Sequence, residues 1–342
     1  MAAARVRSGG RPTLEEVAAR AGVGRGTASR VINGSPRVSD ATRQAAVAEL
    51  GYVPNRAARA LAGNRTDAIA LVVPEPETRF FAEPYFSAIV RGVGAALADT
   101  EMQLLLTLVG NDRERRRLAQ YLTAHRVDGV LLVAVHADDP LPELLEQLGM
   151  PCVISGARHA AETLPSVDSD NFEGARAAVE HLVSRGRRQV ATITGRLEVY
   201  GAQRRLDGYR AAVAAAGLAP DERLIAPADF TEEGGAGAMR DLLARRPGLD
   251  AVFVASDVMA AGARQVLREA DRRIPEDVAL VGFDDSVVAR HMHPALTSVR
   301  QPIEEMGRRM AQLLLDEIAG RAPGDERPSV VLPTELVVRD SS

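Results

Sequence analysis

The stretch TLEEVAARAGVGRGTASRVINGSPRVSDATR, residues 13–43, predicts short helices separated by tight turns. Thr13 and Glu16 form a capping-box pattern, so a first helix begins there and ends near Gly22. Residues 25–32 predict a second helix, and a third is expected at about 40–50, before Gly51. Helix, glycine turn and helix is the arrangement that lays a second helix in the major groove of DNA, although a plain three-helix bundle has the same outline.

The charge distribution along the chain is uneven. Residues 1–66 hold 11 arginines against four acidic residues, a formal charge of +7, whereas the whole chain of 342 residues carries −4. The chain contains no lysine, so all its strong bases are arginines. A small basic part joined to an acidic body indicates a polyanionic partner for the basic part, unless the arginines serve only solubility.

From Asp67 onward, apolar strand-like runs alternate with amphipathic stretches. The predicted strands are 68–73, 102–108, 129–135, 151–154, 189–194, 251–255, 278–281 and 335–339, with helices near 172–184, 202–216 and 258–270 between some of them. Such alternation predicts parallel sheets covered by helices. Two such series predict two lobes, with a ligand bound where the strands end. The fold class is therefore an all-α helix-turn-helix headpiece followed by an α/β two-lobed core.

Residues 13–43, continued by LGYVPNRAARALAG at 50–63, closely resemble the headpiece and hinge of the lactose-repressor (LacI/GalR) family of transcription regulators. The resemblance implies that the second helix reads base edges and that other side chains contact phosphates. It nominates as base readers Arg25, Gly26, Thr27, Ser29 and Arg30, with Thr27, Asn33 and Tyr52 better placed on phosphates. Gly24 and Gly26 stand where larger polar side chains are common in the family, which shifts the readout onto the two arginines.

Residues 54–63 match the family's hinge helix, which folds on DNA. Pro54 suits a helix start and Gly63 a helix end. By resemblance, Asn55 belongs to the DNA-contacting set, Ala58 allows close approach to the minor groove, and Leu61 wedges between base pairs and bends the duplex. The alternative is a plain linker helix packed on the core.

The remainder of the chain resembles the same family's periplasmic-binding-protein-like core. The expected domains are a headpiece at 1–53, a hinge at 54–66 and a core at 67–342. Within the core we expect lobe 1 at about 67–166 and 295–324, and lobe 2 at about 167–294 and 325–342. We see no leucine-rich tail of the kind that forms tetramers in some members, so we expect a homodimer that reads palindromic operator DNA.

Seven residues are candidate ligand contacts, because they lie at strand ends or match effector-binding positions of the family. They are Tyr85, Phe86, Arg205, Phe230, Asp257, Asp284 and Gln301. Guanidinium and carboxylate groups can each engage two neighbouring hydroxyls, and an aromatic ring can stack on a sugar. Alternatives remain: the aromatic pair is core, Arg205 is a surface residue, Asp257 caps a helix, and Gln301 contacts only the hinge.

The function predicted is a sequence-specific repressor whose DNA binding is released by a small sugar. Gly-Arg-Gly-Thr at 24–27 with FAEP at 81–84 and GFDDS at 282–286 resembles actinobacterial regulators of cellulose and β-glucoside use, which implies cellobiose or a cello-oligosaccharide. A regulator that needs its ligand as co-repressor remains open. A sugar-transport protein or a sugar-converting enzyme is disfavoured by the headpiece and by the lack of a catalytic pattern.

Neither a cofactor nor a metal is expected, because the six histidines show no ligand spacing. We find no secretion signal or membrane-spanning run, and the single cysteine, Cys152, reads as a buried structural thiol. The expected location is the cytoplasm.

Overall fold

The structure is a computed structural model that describes residues 18–19, 24–26, 28, 65–160, 162–321 and 328–342. The chain divides into two compact units, Met1–Thr66 and Asp67–Ser342. In the first unit the described residues are helical at 18–19, 25–26 and 28. Ala28 N–H donates to the Gly24 carbonyl at 3.0 Å, and Ala18 and Ala28 are buried. These turns agree with the two helices that the sequence predicts.

The second unit alternates strands and helices along most of its length. The strands are β1 (Ala68–Val73), β2 (Gln103–Leu108), β3 (Gly129–Leu132), β4 (Cys152–Ser155), β5 (Ser166–Ser169), β6 (Val190–Thr194), β7 (Ile225–Pro227), β8 (Ala251–Val254), β9 (Ala279–Asp284), β10 (Thr297–Arg300), β11 (Ser329–Leu332) and β12 (Glu335–Val337). The helices are α1 (Glu77–Ala82), α2 (Pro84–Leu97), α3 (Asp112–Thr123), α4 (Leu141–Gln147), α5 (Asn171–Ser184), α6 (Tyr200–Ala215), α7 (Glu232–Arg245), α8 (Asp257–Glu269), α9 (Val287–His291) and α10 (Ile303–Ile318).

Two six-stranded sheets form the two lobes. The first sheet has the order β11-β5-β4-β3-β1-β2, and the second has the order β12-β10-β9-β8-β6-β7. Neighbouring strands are parallel except for β12, which runs antiparallel to β10. The central strands β3 and β8 are buried at every residue, as expected for a parallel sheet with helices on both faces. The predicted two-lobed α/β fold is confirmed.

Within the described residues the chain crosses between the lobes three times, and the crossings do not lie at the predicted boundaries of 166/167, 294/295 and 324/325. All of β5 belongs to the first sheet, β10 belongs to the second, and β11 belongs to the first. Each predicted boundary therefore comes too early. The reason is that these three strands have four residues each, and two of them, SVDS and TSVR, carry too few apolar residues to mark a strand.

Helix α10 is fastened to lobe 1 although it follows a strand of lobe 2. It packs on α2, and glycines let the two backbones approach closely. A Cβ at Gly92 would lie 2.0 Å from the Glu304 carbonyl oxygen, and one at Gly307 would lie 2.4 Å from that of Ile89. Any larger residue at either position would force the helices apart. The segment before α10 is thus a fixed link between the two lobes.

Two further predictions concern the single cysteine and membrane-spanning helices. Cys152 is 3% exposed on β4 and is not in a disulfide, as expected for a structural thiol. Among the described helices, none is both long enough and apolar enough to pass through a bilayer.

Candidate ligand-binding site

A cavity of about 110 Å³ lies between the two lobes, where strands of both sheets end. Side chains of lobe 1, lobe 2 and a crossover form its polar and aromatic walls. They are Arg79, Glu83, Tyr85, Phe86, Ser155 and Asp168 from lobe 1; Asn171, Arg205, Phe230, Ser256 and Asp284 from lobe 2; and Gln301 from the crossover. The structure therefore brings together six of the seven predicted ligand residues.

Arg205, in the second turn of α6, is held in a fixed orientation. Its Nε donates to Asn171 Oδ1 at 2.8 Å, and a terminal N–H donates to the carbonyl of Ala255 at 2.5 Å. The guanidinium carbon lies 3.9 Å from the centroid of the Phe283 ring. Burial lowers the pKa of Arg205, and the Asp284 carboxylate opposes this shift. Arginine stays charged under these conditions, so the site keeps a positive hydrogen-bond donor.

Asp284 ends β9 and presents a half-buried carboxylate to the cavity. Its φ of 109° is rare for a residue with a side chain, which indicates a backbone held in a special conformation at a functional position. Gln301 Nε2 donates to Asp284 Oδ1 at 2.6 Å, and Gln301 Oε1 accepts from Ser169 Oγ. Burial raises the pKa of Asp284 to about 6, while the Arg205 guanidinium acts in the opposite direction. The carboxylate is thus a fixed acceptor.

Asp257 was interpreted as a ligand contact or, alternatively, as a helix cap, and the structure corrects both interpretations. Asp257 is completely buried outside the cavity wall, where its carboxylate accepts from Ser298 Oγ at 2.6 Å and from Ser286 N–H at 2.7 Å. The cap of α8 is Ser256, not Asp257. Burial first, and then the Asp284 carboxylate, raises the pKa of Asp257 to about 8. Asp257 supports the loop behind the cavity because neighbouring donors already engage both its oxygens.

Tyr85 and Phe86, at the start of α2, belong to both the cavity wall and the aromatic core of lobe 1. Tyr85 Oη shares a hydrogen bond with Ser155 Oγ at 2.7 Å, and burial raises the pKa of the phenol. Phe86 is 1% exposed and stacks on Phe80 with ring centroids 5.5 Å apart. Phe81, in contrast, is 78% exposed and does not line this cavity. The core interpretation therefore applies to the pair, and their role as ligand contacts stays a prediction.

Phe230 occupies the lobe 2 wall in a left-handed backbone conformation, with φ of 69°. Its ring packs directly on Gly195, where an added Cβ would lie 1.9 Å from Cζ. The Arg79 guanidinium of lobe 1 lies over the ring, 5.5 Å from its centroid. Phe230 therefore has the position expected of a stacking residue, but a cation already covers it.

Two lining residues that the sequence did not predict are Arg79 and Glu83. Arg79 lies in α1, and Glu83 directly follows this helix. Arg79 Nε donates to Glu83 Oε1 at 2.8 Å, and another of its N–H groups donates to the buried Glu75 at 2.7 Å. Burial raises the pKa of Glu83 to about 7, against the effect of Arg79. The segment ETRFFAEP contains these two charged residues, but they line a cavity only because lobe 2 lies opposite them.

The second missed pair is Asp168 and Asn171, at the crossover that follows β5. Asn171 Nδ2 donates to Asp168 Oδ1 at 3.0 Å, and Asn171 in turn accepts from Arg205. Burial raises the pKa of Asp168 to about 6. A sequence signal was available, because VDSDN places polar residues directly after the apolar Val167 at a strand end.

The charges of the cavity indicate the chemistry of its ligand. Three carboxylic groups, Glu83, Asp168 and Asp284, face the space together with the guanidinium groups of Arg79 and Arg205. Carboxylates repel anions but accept strongly from hydroxyl groups. The arrangement fits a neutral, hydroxyl-rich molecule with an apolar face for the aromatic side chains. In the described part of the chain, no group of three or more His, Cys, Asp or Glu side chains could hold a metal ion.

The predicted DNA-contacting residues are described only in part. Arg25 and Gly26 are exposed on a helical turn, which agrees with a helix that faces a partner. Eight of them lie outside the described residues: Thr27, Ser29, Arg30, Asn33, Tyr52, Asn55, Ala58 and Leu61. Their roles stay predictions.

A two-lobed core with a polar cavity between its lobes, preceded by a basic helix-turn-helix segment, defines a ligand-sensing transcription regulator. Comparison with known families agrees. Residues 13–55 match the family described as bacterial regulatory proteins, lacI family, and residues 179–342 match the periplasmic binding protein-like domain.

The chain is 52% identical to the HTH-type transcriptional regulator CelR of Thermobifida fusca, over 97% of this chain and 98% of that protein. It is 33% identical to the ribose operon repressor of Escherichia coli K12, over 90% of this chain and 93% of that repressor. The chain belongs to the LacI family of bacterial transcription regulators. It is a ligand-responsive regulator rather than an enzyme.

Solved structures agree with this assignment. A complex of the regulator CelR with cellobiose matches with a TM-score of 0.79 and 50% identity, over 97% of this chain and all of that one. The Lac repressor dimer bound to operator and the anti-inducer ONPF matches with a TM-score of 0.83 and 27% identity, over 97% of this chain and 99% of that one.

Proposed function

We propose that this chain is a repressor that binds palindromic operator DNA as a homodimer and releases it when cellobiose or a longer cello-oligosaccharide enters the interlobe cavity. The observation that carries the proposal is the cavity wall itself. Asp284 and Arg205 offer a fixed acceptor and a fixed donor beside Phe230, which is the set that a sugar with paired hydroxyls and an apolar ring face requires. The similarity to a regulator solved with cellobiose supports the same sugar class.

Six side chains carry the binding in this proposal. Arg205 and Asp284 engage hydroxyls, Gln301 orients Asp284, and Phe230 stacks on a ring, while Tyr85 and Phe86 close the lobe 1 side. Asp168 and Asn171 add an acceptor and an orienting amide. DNA is read by Arg25 and the other nominated residues of the headpiece, and Ala58 and Leu61 act in the minor groove.

The cavity must enlarge for such a ligand to bind. Its volume of about 110 Å³ is well below the roughly 300–1,000 Å³ of sites that enclose small organic ligands. The lobes or the lining side chains therefore move, and the ligand selects a different lobe arrangement from the empty protein. In a dimer, that movement would change the spacing of two hinge segments at 54–66 and hence weaken operator binding.

The regulator acts in the cytoplasm, where its DNA is, and its functional boundaries lie at residues 53/54 and 66/67. Coupling between sugar and DNA is reciprocal, so a typical value of about 1–3 kcal/mol would change either affinity by about 5- to 150-fold. A co-repressor would show the same coupling with the opposite sign.

The direct test is fluorescence anisotropy with operator duplexes selected from a palindromic pool, with and without cellobiose. Binding that is steep in salt and released by cellobiose is expected. Tighter binding with cellobiose would show a co-repressor mechanism instead. Operator binding that no sugar changes, combined with a flat calorimetric titration, would overturn the effector class but leave the regulator.

A further inference from the structure

A second and larger depression lies beside the ligand cavity on the interlobe cleft. This outer groove has a volume of about 720 Å³, and both lobes contribute to it: Glu75, His136 and Asp138 from lobe 1, and Arg196 and Thr231 from lobe 2. Among the described residues, Arg79 is the one that lines both the cavity and the groove. The two spaces are therefore neighbours with one side chain between them.

Arg79 lies between the cavity and the groove. Its contacts within lobe 1 are strong, and its contact with lobe 2 is weak. It forms ion pairs with Glu75 and Glu83 at 2.7 and 2.8 Å, and it covers the Phe230 ring. A sugar unit that continues from the cavity into the groove takes the place of the guanidinium, because Arg79 lies between the two spaces. Glu75 keeps other partners without Arg79, since His136 Nε2 lies 3.2 Å and a guanidinium nitrogen of Arg196 lies 3.8 Å from its Oε1.

The walls of the outer groove suit hydroxyl groups. Asp138 and Asp229 are exposed carboxylates, and Thr231 accepts from Gly234 N–H while its hydroxyl donates to Asp229 at 2.6 Å. Its volume falls within the range of ligand sites, whereas that of the inner cavity does not. The groove thus has the size that the inner cavity lacks for an extended ligand, and it has hydrogen-bonding groups of its own.

We propose that Arg79 is a movable partition and that the sugar site continues past it into the outer groove, which takes the further units of an oligosaccharide longer than a disaccharide. This inference rests on the proposed function, because it extends the same sugar site. Arg79 then determines the length of the sugar that is accepted: in place it favours a short ligand, and displaced it joins the two spaces.

The test is isothermal titration of the full chain with cellobiose, cellotriose and cellotetraose. Arg79→Ala is expected to raise the ratio of tetraose to cellobiose affinity by about tenfold, because the longer sugar no longer displaces two ion pairs. Asp138→Ala, at an exposed groove position, is expected to lower tetraose affinity by about threefold or more and leave cellobiose affinity unchanged. Arg158→Ala is the matched control: Arg158 also bridges two glutamates in lobe 1, Glu143 and Glu162, but lines neither space.

The outcomes separate the two proposals. If cellobiose binds but the variants keep the wild-type ratio of tetraose to cellobiose affinity, the proposed role of Arg79 is wrong and the sugar function stands. If neither wild type nor any variant binds any of the three sugars, the proposed effector class fails and the outer subsite with it. Should Arg79→Ala unfold, as a thermal melt would show, the Asp138→Ala ratio alone decides, because that side chain is exposed.

Discussion

The side chains of Gln301 and Asp284 are joined by a hydrogen bond of 2.6 Å from Gln301 Nε2 to Asp284 Oδ1. This bond connects the end of β9 in lobe 2 with the crossover that leads into α10 of lobe 1. Because α10 is packed on lobe 1 through Gly307, a ligand that binds Asp284 acts directly on the link between the lobes. In the proposed function, ligand contact and lobe angle therefore depend on one pair of residues.

Replacing Asp284 by asparagine should weaken sugar binding while the fold remains. The variant loses a charged acceptor, which is worth about 1.5–3 kcal/mol, or roughly 10- to 150-fold in affinity. Titration calorimetry with cellobiose measures the loss. Asp257→Asn is the matched control, because that carboxyl lies behind the cavity wall. Equal losses in both variants would contradict the assignment of Asp284 as a ligand contact.

Sugar affinity should depend on pH through the cavity carboxyls. The pKa of Asp284 and that of Asp168 are each raised to about 6, so both groups gain protons as the pH falls below that value. Binding that needs the ionised acceptors must weaken in the same direction. For one such group we expect about a tenfold loss of affinity between pH 7.5 and pH 5. Calorimetry across this range tests the sign, and an affinity that is flat or higher at pH 5 contradicts it.

Arg205→Lys should reduce cellobiose affinity although the positive charge is kept. Lysine cannot make the forked contacts that hold Asn171 and the Ala255 carbonyl while presenting further N–H groups to a ligand. We expect a loss of about tenfold or more, from one or two hydrogen bonds. The neighbouring Arg204→Lys is the control, since Arg204 pairs with Asp207 and covers Phe172 outside the cavity. A larger loss of cellobiose affinity in Arg204→Lys than in Arg205→Lys would refute the role of Arg205.

Arg25→Lys should separate specificity from general DNA affinity. Lysine keeps the charge but loses the bidentate contact with a guanine, which is worth about 1–3 kcal/mol of discrimination. Anisotropy titrations with the selected operator and a scrambled duplex should show that their difference in affinity shrinks. The slope of affinity against salt should stay the same, because the number of charges is unchanged. A smaller slope with full discrimination would assign Arg25 to a phosphate instead.

Long apolar runs made the fold predictable from the sequence. AIALVV and AVFV are buried strands in the structure, and their alternation with helices sufficed to predict two lobes. The crossovers were not predictable, because β5 (SVDS) and β10 (TSVR) are stabilised by neighbouring strands rather than by their own apolar residues. Their tertiary context outweighs the local pattern.

The site was predictable where a residue ends a long strand or matches a family position, as Asp284 and Arg205 do. It was not predictable where burial comes from the other lobe, as for Arg79 and Glu83. Asp257 shows the opposite error: a carboxylate at a strand end reads as a ligand contact, but Ser298 and Ser286 engage it below the surface. The sequence pattern alone does not show whether a side chain at a strand end faces the cavity or lies buried behind its wall.

The last two strands of the core are shared between the lobes, one to each sheet: β11 lies beside β5, and β12 beside β10. During synthesis, neither sheet can therefore close its edge until residues 329–337 have left the ribosome. The headpiece emerges first, yet both halves of the sensor are completed at almost the same moment. A nascent chain would thus spend most of its synthesis with its DNA-binding segment made and neither sheet of the sensor complete.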